Sequence, residues 1–198
     1  MVIEQLGPGI YKYTIDKENV ISVYNQVKTY LDPFFNLGQI VTHSESSYNN
    51  YVNTDIRNAY VVSARDSSDC HPEDPRYQID NLLDNETNEA INHFLINYGV
   101  QDVKPLHDWI YMKYDKNGFF QNHKDDGATL PRTVSVISYL NDNFEGGEIE
   151  FPYFNVIFKP KAGDILVFSS AFPYVHNIKK IESGERYIAV KWYGYRNR

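Results

Sequence analysis

Sulfur is scarce in this chain, with a single cysteine, Cys70, and two methionines in 198 residues. One cysteine makes no internal disulfide and a thiolate zinc site needs several, so any metal centre has to use histidine and carboxylate. Positive charge is also in short supply: 19 Lys and Arg stand against 26 Asp and Glu, a net charge of −7. An acidic surface repels phosphate backbones and anionic lipid, which argues against nucleic acid or a membrane face as the main partner. Long apolar runs are missing too, since none approaches the roughly 18–20 residues of a membrane span. The start, Met1-Val2-Ile3-Glu4-Gln5, lacks the basic-then-apolar pattern of a signal peptide. A cytoplasmic protein is the expectation.

Material for a core is abundant, with 42% hydrophobic residues and 15% aromatic ones, among them 17 Tyr and 11 Phe. That excludes a disordered chain and leans towards half-buried strands. The length predicts one domain over residues 1–198, with a helical and loop support over about 1–105 and a β core over about 106–195.

Two helices are expected before the β core. Residues 16–31 place Val20, Val23, Tyr24, Val27, Tyr30 and Leu31 at helical spacing behind Asp16 as a cap. About 85–98 places Ile91, Phe94, Leu95 and Tyr98 on one stripe, with Gly99 as a stop. Between them, 43–80 is polar, is punctuated by Pro72 and Pro75, and reads as a long surface loop broken only by Ala59-Tyr60-Val61-Val62. From Trp109 onward, short β-rich runs at 109–114, 119–123, 133–140, 147–151, 155–159, 164–169, 174–178 and 186–193 predict a sandwich or barrel. The breaks, among them Glu145-Gly146-Gly147 and Glu182-Ser183-Gly184, have turn chemistry.

Three His-x-acid pairs occur. His43-x-Glu45 and His71-x-Glu73 lie in the polar segment and read as solvated loop residues. His123-x-Asp125 ends a strand pattern, so both side chains leave one face and can converge on an ion. Taken alone, His176 reads as a half-buried strand histidine. Added to His123 and Asp125 it completes two imidazoles and one carboxylate, the facial set of non-haem iron(II) sites. Arg186 follows ten residues later, across a turn, and a guanidinium in an apolar cavity would bind a carboxylate through two parallel hydrogen bonds. Read by itself, Arg186 is equally a surface strand residue.

Over residues 109–193 the chain resembles the iron(II)/2-oxoglutarate-dependent dioxygenases, and among them the prolyl 4-hydroxylase type. The residues that carry the resemblance are Tyr114-Asp115-Lys116-Asn117-Gly118 leading to His123-x-Asp125, Arg132, Ser138-Tyr139-Leu140-Asn141-Asp142 and Glu145-Gly146-Gly147-Glu148. Phe151-Pro152, Pro160-Lys161-Ala162-Gly163-Asp164, His176 and Gly184-Glu185-Arg186-Tyr187-Ile188-Ala189-Val190-Lys191-Trp192 follow in order. The resemblance implies a mostly β fold with flanking helices, a double-stranded β-helix of the jelly-roll or cupin kind. It implies iron held by His123, Asp125 and His176, with 2-oxoglutarate bound by Arg186, Tyr114, Tyr139 and Trp192. The activity implied is hydroxylation of a peptidyl proline with decarboxylation of 2-oxoglutarate to succinate and CO2, using O2 as cosubstrate and ascorbate as reductant. No catalytic residue beyond the metal centre is required.

Two positions depart from the common pattern. Arg186 stands where many prolyl 4-hydroxylases have lysine, and Phe120 stands where tyrosine is frequent. A peptide or protein substrate is expected, without nucleic acid or membrane, for a monomer or homodimer. Arg57, Tyr60 and Arg65 are the substrate contacts that the 43–80 segment offers, although each alone reads as ordinary surface. Two alternatives stay open: a hydroxylase of a free amino acid, another side chain or a small metabolite, and a non-catalytic β-barrel binding module.

Overall fold

In the computed structural model, residues 1–44, 47–63, 73–100, 102–127 and 131–195 are described. The chain begins with strands β1 (Val2–Gly7) and β2 (Ile10–Thr14), then helix α1 (Lys17–Tyr30) and β3 (Asn36–Leu37). Next come β4 (Gln39–Ser44), β5 (Ser47–Val52), β6 (Arg57–Asn58) and β7 (Tyr60–Ser63), followed by α2 (Pro75–Asn97) and β8 (Lys104–Pro105). The motif-bearing half supplies β9 (Ile110–Tyr114), β10 (Phe119–His123), β11 (Val134–Tyr139), β12 (Phe144–Gly146) and β13 (Ile149–Phe151). It ends with β14 (Val156–Phe158), β15 (Asp164–Ser169), β16 (His176–Ile178), β17 (Ile181–Gly184) and β18 (Arg186–Gly194).

The larger sheet runs β1-β2-β15-β11-β18-β9-β7-β3, with β8 also on β18, and every pairing in it is antiparallel. The smaller sheet runs β14-β13-β16-β10-β6. This is the double-stranded β-helix that the sequence motifs imply. One apolar cluster, including Tyr13, Val20, Val27, Leu83, Phe94, Trp109 and Tyr187, packs the helices on the larger sheet. A second, including Tyr114, Tyr139, Phe151, Phe168, Ile188 and Trp192, fills the space between the sheets. Strand β18 is buried at every position and divides the two, Tyr187, Ala189 and Tyr193 facing the helices and Ile188, Val190 and Trp192 the other way.

The helix at 16–31 forms as its periodicity predicts. The Asp16 carboxylate accepts from the Glu18 N–H at 2.9 Å, and Val20, Val23 and Val27 are its buried stripe. Helix α2 begins ten residues before the expected start at 85, because Asp74-Pro75 is a helix opening and not a loop break. Asp74 accepts from the Arg76 N–H at 2.8 Å, and proline at the first helical position loses no hydrogen bond.

The segment 43–80 is not mostly loop. The strands β4 and β5 pair with each other in register from Gln39–Val52 to Ser44–Ser47, β6 joins the smaller sheet and β7 the larger. Residues 39–52 are a polar run with strand formers among them, and a two-stranded ladder satisfies their backbones whatever the hydropathy, which is why hydropathy misses them. His43 lies on β4, while Glu45, Arg65 and His71 fall outside the described residues. The N-terminal half also gives strands to the larger sheet and is not helix and loop alone. Likewise the glycine-rich breaks at 145–147 and 182–184 belong to a β12–β17 ladder, which bulges at Gly146, where φ is 75°.

Candidate metal centre and cosubstrate pocket

Strand β10 carries His123 and β16 carries His176, and the two residues are direct register partners in the smaller sheet. Asp125 leaves the end of β10 two residues later, so its carboxylate turns to the same side. One ligand atom from each of His123, Asp125 and His176 lies within 4.8 Å of the others. His123 Nε2 stands 3.7 Å from Asp125 Oδ1.

Each imidazole is oriented from its far nitrogen. His123 Nδ1 bonds the Gln121 carbonyl at 2.8 Å and His176 Nδ1 the Tyr174 carbonyl at 3.1 Å, which leaves both Nε2 atoms to face Asp125. Asp125 in turn accepts from the Ser135 hydroxyl at 2.6 Å, and Ser135 is bonded to Ser170 at 2.8 Å. Phe120 lies flat on the His123 ring with centroids 3.6 Å apart.

The protonation states suit a cation. Burial, with His176 beside it, pushes the His123 imidazole down to about 3, so it is neutral with a free lone pair. Burial works against the Asp125 carboxylate, but His176, His123 and the Ser135 hydroxyl outweigh it and hold it below the usual carboxylate range. Neutral imidazoles and an ionised carboxylate are the forms a divalent metal needs.

The three residues open onto a cavity of about 1060 Å³ that Met112, Tyr114, Ile137, Ile188, Val190 and Trp192 help to line. Arg186 pairs in register with Tyr114 and is 0% exposed, its Cζ 5.0 Å from the Tyr114 ring centre and 5.2 Å from that of Tyr139. Among the described residues, all three guanidinium nitrogens of Arg186 and the Tyr139 hydroxyl lack a hydrogen-bond partner. Burial pushes the Tyr139 phenol up to about 12, so it remains a donor. Unsatisfied buried donors around a fixed cation cost stability unless an anion answers them, and the terminal carboxylate of a small oxo-diacid fits that demand.

The structure thus brings His123, Asp125 and His176 into one cluster, and places Tyr114 and Trp192 in the cavity wall. Arg186 and Tyr139 are enclosed beyond that wall. Arg57, which sequence alone treats as surface, lines the cavity as well, its Cζ 4.9 Å over the Phe120 ring. Ser135 escaped notice because it sits mid-strand among valines, with the alternation of β11 its only signal.

Residues 109–194 match the family described as the 2OG-Fe(II) oxygenase superfamily. A putative prolyl 4-hydroxylase of Acanthamoeba polyphaga mimivirus is 40% identical over 70 residues, covering 31% of this chain and 29% of that protein. A PKHD-type hydroxylase of Prochlorococcus marinus is 31% identical over 97 residues, covering 48% and 41%. The chain thus matches less than half the length of either curated relative. Among solved structures, the viral collagen prolyl hydroxylase of Paramecium Bursaria Chlorella virus-1 superposes with a TM-score of 0.64 at 19% identity, covering 94% of this chain and 96% of that one. A Trichoplax adhaerens prolyl hydroxylase, in complex with a peptide fragment of hypoxia inducible factor, gives 0.69 at 18% identity, covering 94% and 83%. The imidazole–carboxylate cluster lies inside the segment that is similar to the 2OG-Fe(II) oxygenase superfamily.

Proposed function

We propose that the protein is an iron(II)/2-oxoglutarate-dependent dioxygenase that hydroxylates a prolyl residue of a peptide or protein. The observation that carries this reading is the cluster His123, Asp125 and His176 together with the enclosed Arg186, whose three guanidinium nitrogens have no partner among the described residues. Iron(II) with 2-oxoglutarate and O2 supplies the oxidation of an unactivated C–H bond to an alcohol, with succinate and CO2 as the other products.

The chain's own residues hold and shield that chemistry. His123, Asp125 and His176 would hold the metal on one face and leave the cavity side open. Arg186 and the Tyr139 hydroxyl would take the distal carboxylate of 2-oxoglutarate, with Tyr114 and Trp192 closing the sides. The apolar wall of Met112, Ile137, Ile188 and Val190 would exclude water and orient the target carbon. Similarity to prolyl hydroxylases, one of them solved with a peptide, supports the substrate class. A non-catalytic barrel would be expected to have lost at least one of His123, Asp125, His176 and Arg186, and all four are present.

The test is iron(II)-dependent conversion of 2-oxoglutarate to succinate, followed first without substrate and then with proline peptides. Turnover abolished by His176→Ala and by Arg186→Ala, and a +16 Da product on a proline peptide, are the expected results. Wild-type protein that binds neither iron(II) nor 2-oxoglutarate would overturn the reading.

A further inference from the structure

Beyond the cosubstrate site, the cavity is lined by a pair of guanidinium groups, one brought by each sheet. Arg57 sits on β6 at the edge of the smaller sheet, paired in register with Phe120. Arg132 stands just before β11 of the larger sheet, its Cζ 3.6 Å over the Trp192 ring and its Nη1 donating to the Asp125 carbonyl at 3.3 Å. Both are tied to the metal cluster, Arg57 through Phe120 stacked on His123 and Arg132 through the Asp125 backbone.

Among the described residues, neither guanidinium has a carboxylate side chain within ion-pair distance. The Arg57 terminal nitrogens are spent on weak partners, Nη1 on the Gln39 carbonyl at 3.1 Å and Nη2 on the Met112 sulfur at 3.4 Å, and its buried Nε has none. Other charges in the lining are few: Lys124 and Asp126 face each other at 3.9 Å, and Asp125 belongs to the metal cluster. On a chain of net charge −7, the cavity wall therefore carries three cations against two carboxylates before any metal is added.

We infer that Arg57 and Arg132 form a carboxylate-binding subsite, so that the molecule oxidised here bears a carboxylate beside the target carbon. This rests on the oxygenase reading and names the substrate class of that site. The carboxylate has two sources, an acidic side chain next to the target residue of a peptide, or the main-chain carboxylate of a free amino acid. Charge-assisted contacts to two guanidinium groups discriminate strongly against a neutral isostere, because its amide leaves one cation facing an N–H donor.

The experiment uses the full chain and three sets of probes: blocked proline peptides with Glu, Gln or Lys beside the proline, free L-proline, and L-prolinamide. Probe-dependent succinate formation gives KM and kcat, and quenching of tryptophan fluorescence without O2 gives binding directly. The expected result is at least a tenfold lower KM for a carboxylate probe than for its amide at similar kcat, the Glu peptide preferred if the source is a side chain and free proline if it is the main chain. Arg57→Gln and Arg132→Gln should each collapse that ratio towards one, while Arg57→Lys retains part of it. Equal KM and equal quenching for acid and amide, in wild-type protein that still turns 2-oxoglutarate into succinate, would overturn the subsite and leave the oxygenase reading standing. Absence of succinate formation and of 2-oxoglutarate binding would sink the oxygenase reading instead, and the quenching ratio would still decide the subsite.

Discussion

Strand β18 places two buried cations five residues apart on opposite faces, and they have opposite surroundings. Lys191 faces the helices, is 5% exposed and bonds Asp84 of α2 at 2.6 Å, where the Trp109 indole donates to the same oxygen at 2.7 Å. Arg186 faces the cavity side between the Tyr114 and Tyr139 rings, and among the described residues no carboxylate or carbonyl accepts from its nitrogens. Both cost desolvation, and only Lys191 recovers it inside the fold. The contrast separates a cation that holds the helical layer to the sheet from one held ready for an anion from outside.

Replacing each cation in turn should break that symmetry. Arg186→Met removes a paired set of charge-assisted donors, each worth roughly 1.5–3 kcal/mol. It should weaken 2-oxoglutarate binding about 1,000-fold, read by calorimetry, with the melting temperature held or raised because unsatisfied donors leave the interior. A melting temperature several degrees lower would show that Arg186 supports the fold. Lys191→Met should do the reverse, costing about 2–3 kcal/mol in urea unfolding by stranding Asp84, and leaving 2-oxoglutarate affinity within about twofold.

Trp109→Phe, which removes the second donor to Asp84, should cost about 2 kcal/mol and sharpen the same distinction, since its effect ought to shrink when Lys191 is already Met. The smallest expected effect is at His107, whose ring packs edge-on to Trp192 with its Nε2 buried and unpartnered. Burial holds its pKa below the ordinary 6.5, the Asp108 carbonyl pulling the other way and the Arg132 and Lys191 charges adding to the lowering. The folded protein thus favours the neutral ring, and protonation favours the unfolded chain. Stability should fall as pH drops below about 6.5 and level off below the folded value. His107→Phe should flatten that slope in thermal melts between pH 7 and 5, and an unchanged slope would assign it to other groups.

The strands after Trp109 were legible because they are buried on one or both faces, so apolar spacing records them. What spacing could not supply was register. The relation of Arg186 to Tyr114, and of His123 to His176, is fixed by hydrogen-bond ladders across 72 and 53 residues of sequence. The hairpin at 39–52 and the strand β1 were missed for a different reason, since the first is a polar run and the second is exposed from Val2 to Gln5, so neither leaves a clean period. The start of α2 was hidden by proline, which stops a helix from inside yet opens one at its first turn. The site residues of the matched segment were readable from their order, whereas Arg57 was not, because its role depends on which sheet edge β6 joins.

The opposed placement of His123 and His176 has a further consequence. Side chains alternate along a strand, so slipping β10 against β16 by one position would send one imidazole to the far side of the sheet. The register of this pair shifts once, between Phe120 and His123, and that shift is what sets His123 opposite His176. An ion that needs both rings would act as a gauge of strand alignment, gripping only chains whose ladder has closed at the right rung, so that metal uptake reports correct assembly of the barrel as well as readiness for chemistry.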